Sequence, residues 1–282
     1  MSDNYFVRHI KNLTGVFFKY LFLILMTAVS LAPILWVFIS SFKTNTEIMV
    51  NSFGLPHEWI TKNVKQVFTS PNLISGYVNT LITGSIVLLI TTLLGSMTAY
   101  ISSRRMRSNW LHSFYALGIM IPMQAILIPT FLVLKTLGLT YTRTGIVLAY
   151  VATTLPITVF VLHGFMSGIP RELEEAAIID GCSPFRIFCS IIFPLSKPGI
   201  ATILTLNLLT VWNDYLFSLV IGGSKYYNIT VVINNFKGQP DTAIEYGLVC
   251  AGLMFSILPL AILYILMQEN VIRGMAEGAI KA

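Results

Sequence analysis

The sequence predicts an all-α membrane protein built on six transmembrane helices, and three observations predict it. Of its 282 residues, 55% are hydrophobic and 11% charged, where soluble domains carry about 25% charged residues. The apolar residues gather into six long stretches, each of the order of the roughly 20 residues that a helix needs to cross a bilayer. Between the fourth and fifth stretches lies a compact polar island, residues 170–198, rich in acids and prolines.

The stretches fall near 20–41, 75–102, 110–134, 145–166, 199–222 and 247–268. The first is too long for the h-region of a cleaved signal and long enough to span. The second carries Gly95 and Ala99, four apart, small enough to admit a neighbouring helix. In the third, Pro122 between Ile121 and Met123 predicts a kink; Met120 and Met123 read as adaptable packing, not metal ligands. On the fourth, His163 has no second His or acid on its own span and reads as a buried packing histidine. The fifth contains Asn207 and the run Trp212-Asn213-Asp214-Tyr215. One membrane domain, 20–268, follows, flanked by the segments 1–19 and 269–282 and enclosing the polar loop 167–198. Two further loops, about 42–74 and 223–246, have turn chemistry in Gly222-Gly223 and Gly238-Gln239-Pro240-Asp241.

Placing the N-terminus in the cytoplasm puts Arg8, Lys11, Lys19, Arg104, Arg105, Arg107, Arg171, Arg186, Lys197, Arg273 and Lys281 inside. These are eleven of the 18 Lys and Arg, leaving seven outside. The tight Arg104–Arg107 cluster decides the orientation: both termini and the polar island are predicted cytoplasmic. The net charge of +6 is scattered between apolar runs, so a nucleic-acid partner is set aside. The three cysteines, Cys182, Cys189 and Cys250, have no zinc spacing and read as free thiols. No cofactor or metal is expected.

The island reads as helix, turn, helix. Pro170 suits a first turn, and Glu172, Glu174 and Glu175 complement the dipole at that end. Gly181 is a natural terminator, and Ser183-Pro184 supplies a cap and a first-turn proline for the second helix. Pro194 and Pro198 bracket that helix's end. Leu173, Ala176, Ala177 and Asp180 are spaced to share one slim face. Phe185, Phe188, Cys189 and Ile192 form an apolar stripe for packing on the membrane domain. A helix lying on lipid favours Lys and Arg on its polar face, and acids are repelled by an anionic leaflet. A soluble protein partner is therefore expected.

Glu175-Ala176-Ala177, Asp180-Gly181 and Ile191-x-Phe193-Pro194 resemble the EAA loop of ABC importer permeases, with Phe193 where the family pattern has Leu. Val211-Trp212-Asn213-Asp214-Tyr215-Leu216-Phe217 is similar to a segment of the maltose-type carbohydrate permeases. Ser41-Phe42-Lys43-Thr44 and the tail Gly274-Met275-Ala276-Glu277-Gly278-Ala279-Ile280-Lys281 resemble the G-type half of such a permease pair. The resemblance implies the transmembrane domain of a type I ABC importer for a sugar or oligosaccharide, multi-pass in a bacterial or archaeal cytoplasmic membrane. It implies three partners besides the bilayer: an F-type sister permease, a cytosolic ABC ATPase dimer and an extracytoplasmic solute-binding protein. Glu174, Glu175, Ala176, Ala177, Asp180, Gly181 and Pro194 would form the ATPase-coupling segment, and Gly274, Gly278 and Lys281 a tail that touches the ATPase.

For the acid inside the fifth stretch two readings are open. Asn207, Trp212, Asn213, Asp214 and Tyr215 combine aromatic faces with hydrogen-bonding groups, as a sugar pathway would. Alternatively Asn213 and Asp214 bond to a neighbouring helix or a broken backbone, since an intramembrane acid costs about 2.5–3.5 kcal/mol and must face protein or water. Tyr226, Tyr227 and Asn228 are candidate contacts to the binding protein. The chain has no Gly-x4-Gly-Lys-Ser/Thr loop and no catalytic constellation, so it is expected to hydrolyse nothing itself. The alternative function, a secondary transporter or channel, would show inverted repeats and charges in several spans.

Overall fold

A computed structural model describes residues 2–105, 110–237 and 244–279. In chain order the α-helices are α1 (Ser2–Ser40), α2 (Asn45–Val50), α3 (Lys62–Phe68), α4 (Pro71–Tyr100), α5 (Trp110–Met120), α6 (Leu127–Thr136), α7 (Arg143–Ser167), α8 (Glu172–Ile179), α9 (Pro184–Ile187), α10 (Phe193–Leu195), α11 (Lys197–Asn213), α12 (Ile229–Asn235) and α13 (Tyr246–Ala279). Wider π turns occupy Ile101–Arg105, Phe188–Ile192 and Ser218–Gly222. The described residues fall into two compact units, one drawn from Met1–Thr69 and Phe236–Ile257, the other from Ser70–Asn235 and Leu258–Ala282.

In the first unit the apolar stretch of α1 is exposed along nearly all its length. The structure there is set by the turn that follows. Lys43 is fully buried, and a buried ammonium is costly unless its protons are used. Its Nζ donates to the carbonyls of Asn51 (2.8 Å) and Ser52 (3.3 Å). Asn63 donates to the carbonyls of Ser41 and Lys43, and Thr44 caps α2 by accepting from the Glu47 N–H. The Ser41-Phe42-Lys43-Thr44 segment thus pins the loop to the end of α1. The start of α13 joins the same cluster, where Gly247 donates to Asn45. A Cβ on Gly247 would lie 2.8 Å from the Lys43 carbonyl oxygen.

In the second unit α4 and α7 form the central pair, with α5 and α11 against α7 and α11 and α12 against α4. Small residues set the approach: a Cβ on Gly95 would meet Thr158 Cγ2 at 2.4 Å, and one on Gly199 would meet the Phe165 ring at 2.6 Å. The hydroxyls of Thr80, Thr91, Thr154 and Thr158 each donate to the carbonyl four residues back, so none is left bare in an apolar setting.

Among the described residues three helical stretches are long and apolar enough to cross a membrane, Gly15–Ser40, Pro71–Arg105 and Arg143–Ser167, or up to five if each bent pair counts as one span. Breaks in the helices correct two expectations. The kink expected at Pro122 in the stretch 110–134 is a right-angle break: α5 and the Met123–Thr136 segment meet at 91°. Pro122 is extended there (ψ 129°) and its ring removes an N–H, so the helix stops and restarts. The stretch 199–222 is not one helix either. α11 ends at Asn213, Asp214 is extended (ψ 137°), and the chain resumes as the Ser218–Gly222 turn. Pro156, inside α7, leaves that helix unbroken.

Candidate functional site

The polar island folds as a capped helix, a tight turn and a second helix. α8 begins at Glu172, and the Arg171 carbonyl accepts from the N–H groups of Glu174 and Glu175. Gly181 ends it in the left-handed region (φ 76°). The Cys182 N–H donates to the Ala177 carbonyl and the Gly181 N–H to that of Ile178, a Schellman closure in which a residue with a Cβ would be strained. Ser183 then caps α9 by accepting from the Arg186 N–H at 3.3 Å, with Pro184 in the first turn.

α8 does not present its predicted four-residue face as one. Ala177 turns inward and is buried with Leu162, Met166 and Ile203, whereas Leu173, Ala176 and Asp180 are exposed. Glu174 is buried too: its carboxylate lies 3.3 Å from Arg104 Nε and 3.8 Å from Arg105 Nη2. The reason is register, since residues 174 and 177 are three apart and share the stripe that meets the bundle. The outward surface is Leu173, Glu175, Ala176, Ile178, Ile179 and Asp180, with Ile179 85% exposed. The second helix also corrects its predicted stripe: Ile187, Phe188 and Ile192 are buried, while Phe185 and Cys189 are exposed. Pro194 is half-buried in α10.

The Arg104 side chain is 2% exposed. Its Nε faces Glu174 as an ion pair, and its Nη2 donates to the carbonyls of Met166 and Ile169 at the end of α7, where a helix runs out of N–H partners. Arg105 donates to the Tyr100 hydroxyl (2.7 Å from Nη2) and lies over that ring. Tyr100 packs on Phe188, ring centroids 5.4 Å apart. Sequence reasoning reads these arginines only as topology markers.

At the other end of α11, Asp214 is fully engaged by the fold. Its carboxylate accepts from the Tyr150 hydroxyl (2.7 Å) and from the N–H groups of Ser218 (2.9 Å) and Phe217 (3.3 Å). Its own carbonyl accepts from the Asn228 amide. Trp212 is 1% exposed against Tyr77, and Asn207 is buried, donating to Thr158 (2.8 Å) and Thr91 (3.4 Å) across three helices. Tyr215 accepts from Asn234, and Asn213 is exposed. These side chains are therefore not gathered on one open wall, and the geometry supports the packing alternative for Asp214.

Asn228 is buried: its Oδ1 accepts from the Val231 N–H and its N–H donates to Ser218, so it is not a surface contact. Tyr226 lies under Arg143 at 5.0 Å, and Tyr227 lines an open cavity of ≈530 Å³ with Phe131, Tyr141 and Lys225. His163 has a neighbour from another helix: His112 stacks on it at 4.0 Å, and Ser102 lies 2.9 Å from its Nδ1. No spacing in the sequence signals that pairing. Gly274 and Gly278 fall in α13, and Lys281 lies outside the described residues.

Residues 91–277, which include all of α8, α7 and α11 and the end of α4, match the family of binding-protein-dependent transport system inner membrane components. The chain belongs to that family. It is a multi-pass permease subunit of an ABC importer and not itself catalytic. The permease is 35% identical over 271 residues to the probable starch degradation products transport system permease protein AmyC of Thermoanaerobacterium thermosulfurigenes, covering 93% of this chain and 97% of the relative. It is 30% identical over 262 residues to the diacetylchitobiose uptake system permease protein NgcG of Streptomyces coelicolor, covering 92% and 87%. The fold is similar to a chain of a bacterial ABC transporter involved in the import of the acidic polysaccharide alginate, with TM-score 0.77, 22% identity and coverage of 92% and 96%.

Proposed function

We propose that this permease is one half of the translocation pathway of an ATP-driven importer for a sugar or oligosaccharide, with α8 as the helix that an ATPase subunit grips. The observation that carries the reading is the split personality of α8. Its inner side is fixed by Glu174 and Ala177, and its outer side offers Leu173, Ala176, Ile179 and Asp180. Such a helix has a slim apolar ridge for a cleft and an acid edge to set register, with its inner side packed on the bundle. The relatives named for starch degradation products and for diacetylchitobiose support a saccharide as the transported class. An F-type sister permease would complete the pathway, and a solute-binding protein would deliver the sugar near Tyr226 and Tyr227. Both termini lie in the cytoplasm on this reading, with residues 274–282 available to the ATPase.

Affinity purification of the permease from its native membrane tests this. The expected co-purifying proteins are a second permease and a P-loop ATPase. Glu175→Lys, which changes an exposed acid of α8, is expected to leave the chain inserted, to release the ATPase and to abolish uptake. Normal uptake by that variant, or solute transport by the isolated chain without ATP, would overturn the reading in favour of a secondary transporter.

A further inference from the structure

An ion pair between Arg104 and Glu174 lies beneath α8. Arg104 lies on the π turn Ile101–Arg105 that closes α4, the kind of wide turn that often marks functional positions. From there its guanidinium reaches three groups at once: the Glu174 carboxylate of α8 and the carbonyls of Met166 and Ile169 at the end of α7. A planar guanidinium suits this fork better than an ammonium. Both side chains are nearly sequestered, so removing Glu174 leaves the Arg104 charge without its counter-ion, and removing Arg104 leaves Glu174 only the partly exposed Arg105. Arg105, 3.8 Å from Glu174, is held by Tyr100, whose ring packs on Phe188 of the second short helix. The π turn therefore grips both arms of the polar loop and the ends of two long helices.

We propose that Arg104 is a positioning residue for transport: it locks α8 to the ends of α4 and α7, so that motion imposed on α8 reaches the central helix pair instead of being absorbed in the loop. The proposal rests on the reading of α8 as the ATPase-docking helix. A loop tethered only by its two chain connections would tilt under load. One pinned by a buried charge to two helix ends has to carry them along.

Hydrogen–deuterium exchange on the purified permease and on its assembly with the ATPase tests the lock and its consequence separately. In the permease alone, Arg104→Gln is expected to speed exchange of the 172–179 amides at least about tenfold, while 143–160 of α7 is unchanged. Glu174→Gln should do the same over 172–179, and the double variant no more there than either single one, because the Arg104–Glu174 pair is the contact with α8 that both remove. In the assembly, trapping ATP with vanadate should alter exchange in both α8 and the last turns of α4 in the native protein, but in α8 alone in Arg104→Gln. Arg104→Lys, which keeps the charge and loses the fork, should fall between. Unchanged exchange over 172–179, or an α4 response that survives in Arg104→Gln, would overturn the proposal. If Arg104→Gln fails to insert, Glu174→Gln decides, since it leaves Arg104 on its two carbonyls. If no ATPase accompanies the native permease, the docking reading falls, and the exchange of the permease alone still shows whether the lock exists.

Discussion

Asp214 illustrates what a single acid does in an apolar setting. It has one hydroxyl and two backbone N–H groups on its carboxylate, at the point where α11 has just stopped and the next turn needs N–H acceptors. It therefore works as a cap made of charge, tied sideways to Tyr150. Asp214→Ala strands those donors and is expected to destabilise the solubilised permease by about 1–3 kcal/mol, read as a lower thermal unfolding midpoint. Tyr150→Phe should cost about 1 kcal/mol, and less once Asp214 is already gone. A variant at Asp214 that unfolds normally but needs more sugar for half-maximal uptake would return the residue to the substrate pathway. Residue identity alone kept both roles open, because a sugar and a backbone N–H ask the same thing of a carboxylate. Lys43 makes the same point from the other sign: its charge marked it as a loop residue outside the membrane, while the fold buries it on two carbonyls.

Elements were legible in the sequence where local chemistry decides them. Gly181 terminates α8 and Ser183 caps α9, because φ above zero and an N-cap are demands on one residue and its next three neighbours. The breaks were legible only in part. Pro122 announced a disturbance but not a right-angle corner, and the acid at Asp214 allowed a broken backbone without fixing where α11 ends, since its partners Tyr150 and Asn228 lie far along the chain. The inward turn of Glu174 likewise depends on Arg104, seventy positions earlier in the sequence. Packing of α4 on α7 was visible as a small residue, Gly95, without its partner. The partner is Thr158, whose Cγ2 would sit 2.4 Å from an added Cβ. A β-branched side chain has little rotamer freedom with which to step aside. Gly95→Ala is thus expected to push the two helices apart and cost about 1–3 kcal/mol. Thr158→Ser removes the offending methyl and keeps the hydroxyl that bonds Thr154 and Asn207, so Gly95→Ala with Thr158→Ser should recover most of the loss. A double variant no more stable than Gly95→Ala would mean that the strain is relieved elsewhere.

At the scale of the whole molecule the role proposed for α8 depends on sidedness, because a helix offered to a cytosolic ATPase has to face the cytoplasm. The basic cluster at Arg104, Arg105 and Arg107 argues for that orientation. The same cluster supplies the buried anchor of α8, so two of its three arginines are partly or wholly used inside the protein. Charge counting therefore needs an independent check. The thiols provide one: Cys189 is exposed beside α9, Cys182 half-buried and Cys250 buried, all free. In a Cys182→Ser background Cys189 is the one thiol open to solvent. A membrane-impermeant maleimide is then expected to label the chain in inverted vesicles washed free of peripheral proteins, and to leave right-side-out vesicles unlabelled. The opposite pattern would place α8 outside the cell, where no ATPase could hold it. It would also reverse the sense of every loop, since the polar island and the two termini are assigned to one side by the same argument. Labelling confined to inverted vesicles would leave Glu175 and Arg104 on the side where ATP is hydrolysed, one for grip and the other for transmission.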